Sequence, residues 1–212
     1  MPNRKIALVG CDLDLVDDIK ENKTTNINIV GYFSDSKKSF MPWSYIGNIK
    51  EPKTWLAEFD YILIACDDIS IRKYCLLKYR PKLASYISSS AKVMKSATLG
   101  VGVVIMPNTY ISFGAKIGDC SKINVGGQIH HQAIIESCCV MGPRATLLGG
   151  AKVKKGSYIG ASATIRENRY VGKNTIIGMG SVVVKNIKDN AIAFGNPCIE
   201  QQASADIDSA EG

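Results

Sequence analysis

Only two histidines occur in the 212-residue chain, and they are adjacent: His130 and His131. Imidazole is the side chain best suited to moving protons near neutral pH. The pair sits in Ile123-Asn124-Val125-Gly126-Gly127-Gln128-Ile129-His130-His131-Gln132. Two readings are open on these residues alone, a proton-transfer site or two surface histidines at a turn. Cys138 and Cys139 lie close in sequence, so a Cys–His nucleophile pair is a rival chemistry. The seven cysteines are odd in number and form no CxxC pair, and no histidine stands at zinc spacing. That pattern implies a reducing compartment, the cytoplasm, with unpaired buried thiols and no bound metal.

The element that must hold these side chains spans Ile87 to Val183. Every sixth residue is apolar: Ile87, Val93, Leu99, Ile105, Ile111, Ile117, Ile123, Ile129, Ile135, Met141 and on to Val183 without a slip. Two positions before each, the residue is mostly small, as at Ala91, Ala97, Ala115, Ala133, Ala145, Ala151 and Ala163. This is the hexapeptide repeat of a parallel β-helix. Three repeats make one triangular coil, the aliphatic residue points inward, and about five to six stacked coils bury what one coil cannot. Glycines such as Gly114, Gly118, Gly156 and Gly160 fall at turns, where positive φ or close backbone approach favours them. A β-sandwich predicts period-2 alternation with irregular gaps, which the constant frame excludes. Ile129 is an inward position, so His130 and His131 fall on the outward corner that follows it.

Residues before about 84 do not follow the frame. Lys5–Gly10, Asn28–Phe33 and Asp60–Ala65 read as strands; Leu13–Glu21, with Leu15, Val16 and Ile19 on one face, reads as a helix. Trp55–Phe59 is a short helical candidate, and Ile71–Tyr79 a second helix with Ile71, Tyr74, Cys75 and Leu77 as its apolar set. The alternation predicts a small Rossmann-like α/β unit with a parallel sheet, its ligand beyond the carboxyl ends of the strands. Gly10, Asp35 and Asp67 lie there. Gly10 is followed by Cys11-Asp12-Leu13-Asp14, not by G-x-G-x-x-G, and two aspartates there repel a pyrophosphate, so no nicotinamide cofactor is expected. Asp35 is equally consistent with a base or ribose contact and with a solvated turn. The expected divisions are 1–83, 84–200 and a small, acidic, flexible tail at 201–212, with Gly195-Asn196-Pro197 capping the stack.

The formal charge of +7 is spread out and not interleaved with aromatics, which argues against nucleic acid. A polyanionic small ligand suits such a surface, as does no partner at all. No apolar run is long enough to span a bilayer, and the N-terminus reads as a strand and not as a signal peptide.

The frame, the α/β segment before it, Ile123-Asn124, His131 and Gly195-Asn196-Pro197 together resemble the left-handed β-helix sugar acetyltransferases, in particular the sialic acid O-acetyltransferase-like group that includes the bacillosamine-type nucleotide-amino-sugar N-acetyltransferases. The resemblance runs to about Cys198. It implies a homotrimer with acetyl-CoA as cosubstrate between adjacent β-helices, a nucleotide-linked amino sugar as acceptor, and no metal. It implies His131 as catalytic base, with Gly10, Asp35, Asp67, Asn124 and His130 on the acceptor side. Gly149, Gly150, Lys185, Asn196 and Pro197 fall on the coenzyme A side. The chain departs from the pattern in three places. The family's glycine-rich first loop reads Gly10-Cys11-Asp12-Leu13-Asp14-Leu15, the acid after the catalytic histidine is Gln132, and the second histidine of some members is Val140. N-acetylation of a 4-amino-4,6-dideoxy sugar in surface-glycan synthesis is the expected reaction. Sugar O-acetylation and a non-catalytic nucleotide-sugar-binding trimer are the alternatives. A γ-class carbonic anhydrase shares the β-helix but needs three zinc-ligating histidines, which this chain lacks.

Overall fold

The computed structural model describes residues 4–22, 27–51 and 59–201. The expected helix at Trp55–Phe59 and the tail beyond Gln201 fall almost wholly outside them.

The chain opens with β1 (Lys5–Val9), α1 (Leu13–Glu21), β2 (Asn28–Phe33), β3 (Tyr45–Gly47), β4 (Tyr61–Ile64) and α2 (Ile69–Tyr79). The four strands form one parallel sheet in the order β3-β2-β1-β4. α1 has the expected bounds, because Asp12 caps it by accepting from the Leu15 amide at 3.1 Å and Leu15, Val16 and Ile19 form its buried face. Two details differ from expectation. β3 is an extra edge strand of three half-buried residues, too short to show period-2 alternation. Leu77 lies on the open side of α2, 79% exposed, and the helix is held instead by buried Cys75 and Arg72.

From β5 (Tyr86–Ile87) to β21 (Val182–Val183) seventeen two-residue strands follow one another at six-residue spacing. The first fourteen pair in parallel with the strand eighteen residues on, as in Ile117↔Ile135, Ile123↔Met141 and Ile129↔Leu147. Three flat sheets result, so eighteen residues close one coil. The inward column from Ile105 to Val183 is buried throughout, with Ala115, Ala133, Ala145, Ala151 and Ala163 beside it. The turns have their own period: a residue in the left-handed region recurs every six positions, from Gly102 through Asn108, Gly114 and Cys120 to Gly180. Asn tolerates this region and Gly adopts it freely. Gly118 answers the other constraint, since a Cβ there would lie 2.6 Å from the backbone of Glu136 and Ser137 in the next coil.

Ile87, expected to point into the stack, is 40% exposed, and Val93 and Leu99 are only partly buried. They belong to the first coil, which has no coil beneath it. Accordingly Ile135→Ala lowers unfolding free energy by about 2–5 kcal/mol, whereas Ile87→Ala costs a small fraction of that; denaturant midpoints of the two variants check the difference. At the other end β22 (Ile192–Phe194) and β23 (Ile199–Glu200) form a hairpin over the last coil, with Gly195-Asn196-Pro197 as its turn and Ala193 and Cys198 buried.

The sheet packs against the stack on both faces. Leu8, Leu15, Tyr32 and Leu63 join Tyr86, Val104 and Met106, while Phe33, Ile64 and Cys75 join Cys120 and Cys138. Asp18 of α1 accepts from Tyr86 at 2.7 Å and Ser88 at 3.1 Å; Lys73 of α2 donates to Asn174 at 2.8 Å. Among the described residues no helix is long and apolar enough to cross a membrane.

Candidate active site

β12 (Gln128–Ile129) delivers the two histidines to an outward corner. The His130 amide donates to Leu147 O at 2.9 Å and the Gly150 amide to His131 O at 3.0 Å, so ladder bonds fix the corner backbone. His131 is exposed and His130 half-buried. The His131 imidazole leans onto the following coil and covers Gly149, where an added Cβ would lie 2.5 Å from Nε2. Gln132 takes the left-handed turn position, φ 57°, and its side chain starts back over Gly114 of the preceding coil. Gln132 nevertheless lines the same groove as His131, where it offers an amide and no charge. His131, Gly149, Gly150, Glu167 and Asn168 share one open groove of about 480 Å³. The Glu167 carboxyl is held below its usual range by its own backbone amide and by Arg166.

A second pocket, about 180 Å³, opens at the carboxyl ends of the first sheet, with Gly10, Asp35, Asn48, Lys50 and Asp68 in its lining. Gly10 is required there by close approach, since a Cβ would lie 2.6 Å from the Cys66 Cβ and φ is 102°. Asn48 donates to Asp35 at 3.5 Å. Asp68 caps α2, and the Ser70 hydroxyl and the Ser70 and Ile71 amides hold its carboxyl low.

Between the two lies an ion network. Lys122, 1% exposed, pairs with Asp12 and, at 2.6 Å, with Asp67, whose other oxygen accepts from Asn124 at 3.2 Å. Asp12 is thus a neutralised helix cap and not a free charge facing a ligand. Asp67 and Asn124 are joined to each other, with Asp67 still 43% exposed at its side chain.

The thiols stand apart from His131. Burial pushes the Cys139 thiol up to about 12, so it is no nucleophile at neutral pH. Cys138 is lowered, first by the Cys120 thiol and then by Lys155 and Arg72, and it lines a different cleft beside α2. Among the described residues no group of three or more His, Cys, Asp or Glu could hold a metal ion.

The architecture has close counterparts among solved structures. A variant of GDP-perosamine N-acetyltransferase from Caulobacter crescentus, in complex with CoA and GDP-perosamine, superposes with a TM-score of 0.85 at 24% identity, covering 93% of this chain and 97% of that one. The acetyltransferase domain of PglB from Neisseria gonorrhoeae, in complex with acetyl coenzyme A, gives 0.82 at 24% identity over 94% and 100%. The fold is the one these solved structures share, a parallel-sheet unit followed by a left-handed β-helix. No family model matches the chain. In sequence it is 29% identical over 133 residues to galactoside O-acetyltransferase of Lactococcus lactis, which is 52% of this chain and 64% of that enzyme. It is 45% identical over 49 residues to dTDP-3-amino-3,6-dideoxy-alpha-D-galactopyranose 3-N-acetyltransferase of Aneurinibacillus thermoaerophilus, 23% and 26% of the two chains. The chain therefore spans less than two thirds of the curated relatives it matches.

Within this fold the expected site residues fall into separate groups. His130, His131, Gly149 and Gly150 meet in the corner groove; Gly10 and Asp35 meet in the strand-end pocket; Asp67 and Asn124 meet at the junction. Lys185, Asn196 and Pro197 line neither pocket and lie exposed at the last coil and the cap hairpin. Lys122, Glu167 and Asn168 went unnoticed in the sequence. The first shows only as one lysine among several at equivalent strand positions. The other two follow from applying the eighteen-residue step to His131 and Gln132 twice.

Proposed function

We propose that the chain is an acetyl-CoA-dependent N-acetyltransferase acting on the amino group of a nucleotide-linked 4-amino-4,6-dideoxy sugar, in the cytoplasmic stage of bacterial surface-glycan synthesis. The observation that carries the reading is the exposed His131 imidazole seated on Gly149 in an open groove between coil corners. The likeness to enzymes that take CoA and a nucleotide-linked amino sugar supports it, as does its extent over both the sheet and the stack.

The acceptor amine attacks the thioester carbonyl while His131 takes its proton as general base. The C–N bond forms, the C–S bond of the tetrahedral intermediate breaks, and the proton leaves with the CoA thiolate. The Gly149 amide, beside the imidazole, supplies a hydrogen bond to the oxyanion. Acetyl-CoA lies along the outer face of the stack against Gly149, Gly150, Lys185, Asn196 and Pro197. Gly10 and Asp35 receive the nucleoside end of the acceptor; Asp67, Asn124 and His130 lie toward its sugar. The functional unit is a homotrimer, because a groove this open needs a second wall, and residues 1–83 and 84–200 act as acceptor-binding and acyl-transfer units.

O-acetylation of a sugar hydroxyl is the second reading, favoured by the likeness to a galactoside O-acetyltransferase. Thiol release from acetyl-CoA against UDP-, dTDP- and GDP-linked 4-amino-4,6-dideoxy sugars, with sialic acid and a galactoside as hydroxyl controls, separates the two. Release that depends on one amino sugar supports N-acetylation, and release with hydroxyl acceptors alone replaces it.

Gly149→Ala is expected to lower kcat/KM by about 10–100-fold with an unchanged melting temperature. The new methyl occupies the space of the ring, and a displacement of about 1 Å in a reacting group costs on that order. Steady-state kinetics beside thermal unfolding check it.

A further inference from the structure

The residue that follows His131, where an acid would supply charge to the ring, is the neutral amide Gln132. The eighteen-residue register places another carboxylate on the same corner. His131, Gly149 and Glu167 each stand two residues past an inward aliphatic in paired strands, Ile129↔Leu147 and Leu147↔Ile165. Two coils separate His131 from Glu167, roughly 10 Å of backbone. The coil between them carries no side chain at this position, and the imidazole has moved into that gap. Glu167 lines the same groove from above, exposed and held in its charged form by its own amide and Arg166. Asn168 beside it turns its Oδ1 over Gly150, 2.5 Å from where a Cβ would be, and closes the far side.

We propose that Glu167 is a positioning residue for His131: its carboxylate, brought into the same groove by the coil register and not by adjacency in sequence, orients the imidazole and stabilises its protonated form. The inference rests on His131 being the base. The charged and titratable groups around the corner are His130 and Glu167 in the groove, Arg166 paired to Glu167 at 3.3 Å, and Lys185 one coil beyond Glu167 in the same column. Replacing Glu167 by Gln removes the negative charge and leaves Arg166 without it. Both changes disfavour the imidazolium, so they act in one direction.

With only two histidines in the chain, NMR can follow each imidazole separately, a His130→Gln protein assigning the signals. In Glu167→Gln the His131 titration is expected to move to lower pH, because the nearby negative charge is gone. In Glu167→Asp it lies between the two. In turnover, the acid limb of the pH–rate profile moves the same way and kcat falls by about tenfold, with KM for acetyl-CoA unchanged, well short of the loss when a buried triad acid is removed. An unmoved His131 titration overturns the role of Glu167. That measurement needs neither acetyl-CoA nor acceptor, so it stands even if the transferase reading fails, and a wild-type protein silent on every acceptor overturns that reading alone.

Discussion

Replacing His131 by Ala lowers kcat for acetyl transfer by about two to four orders of magnitude, the usual contribution of a positioned general base. The fold is expected to survive, because the ring is exposed and the corner is held by backbone bonds to Phe113, Leu147 and Gly150. KM for acetyl-CoA changes little, since the ring serves the amine and not the thioester. The cysteines provide the internal contrast. Cys139 is held as a neutral thiol by burial, and Cys138 belongs to the cleft beside α2. The account is checked by stopped-assay rates for His131→Ala against wild type at saturating acetyl-CoA. Near-normal turnover would remove His131 as base.

The second large effect is on stability. Lys122→Ala removes the cation that joins Asp12 of the first loop and Asp67 after β4 to the β-helix. It leaves two carboxylates near each other at an interface, and breaking a buried pair from one side costs about 3–5 kcal/mol. The partial exposure of Asp67 lets water answer part of that, so about 2–4 kcal/mol is expected, read as a fall in the denaturant midpoint. The triple change Asp12→Asn, Asp67→Asn, Lys122→Met is expected to recover much of the loss, because it removes the charges together. If Lys122→Ala unfolds like wild type, the ion network adds nothing to the apolar packing and hydrogen bonds that hold the sheet to the stack.

The two halves of the molecule differ in how far their residues announce their places. The β-helix repeats one decision every six residues, so a single apolar column identified strand, turn and coil at once, and the eighteen-residue pairing follows from it. α1 was equally plain, with Leu15, Val16 and Ile19 on one face, although Asp12 as its cap was not read from the sequence. β3 was not, since three half-buried residues carry no period. Leu77 misled because helical spacing identifies a stripe but not whether anything covers its end. Ile87 holds the frame's residue type yet lies in a coil with no neighbour below.

The candidate site divides the same way. The histidine pair could be picked out because it breaks the monotony of the repeat, whereas the choice of His131 and of Gly149-Gly150 came from the family resemblance. Lys122 could not: Lys92, Lys116 and Lys152 occupy the equivalent strand position and are exposed, whereas Lys122 is buried because the α/β unit lies over that stretch of the stack. Its partners are 110 and 55 residues away, and no local pattern marks them. Glu167 is an intermediate case. The register that locates it was available, but the search for an acid beside His131 runs naturally along the chain and not up the stack.

The most direct measurement is the mass and linkage of the product formed from labelled acetyl-CoA and a nucleotide-linked 4-amino-4,6-dideoxy sugar, by wild type and by His131→Ala. Wild type is expected to transfer one acetyl group to nitrogen, stable to mild alkali as an amide is, with the label almost absent from the variant's product. An alkali-labile ester, or equal labelling by both proteins, would contradict it.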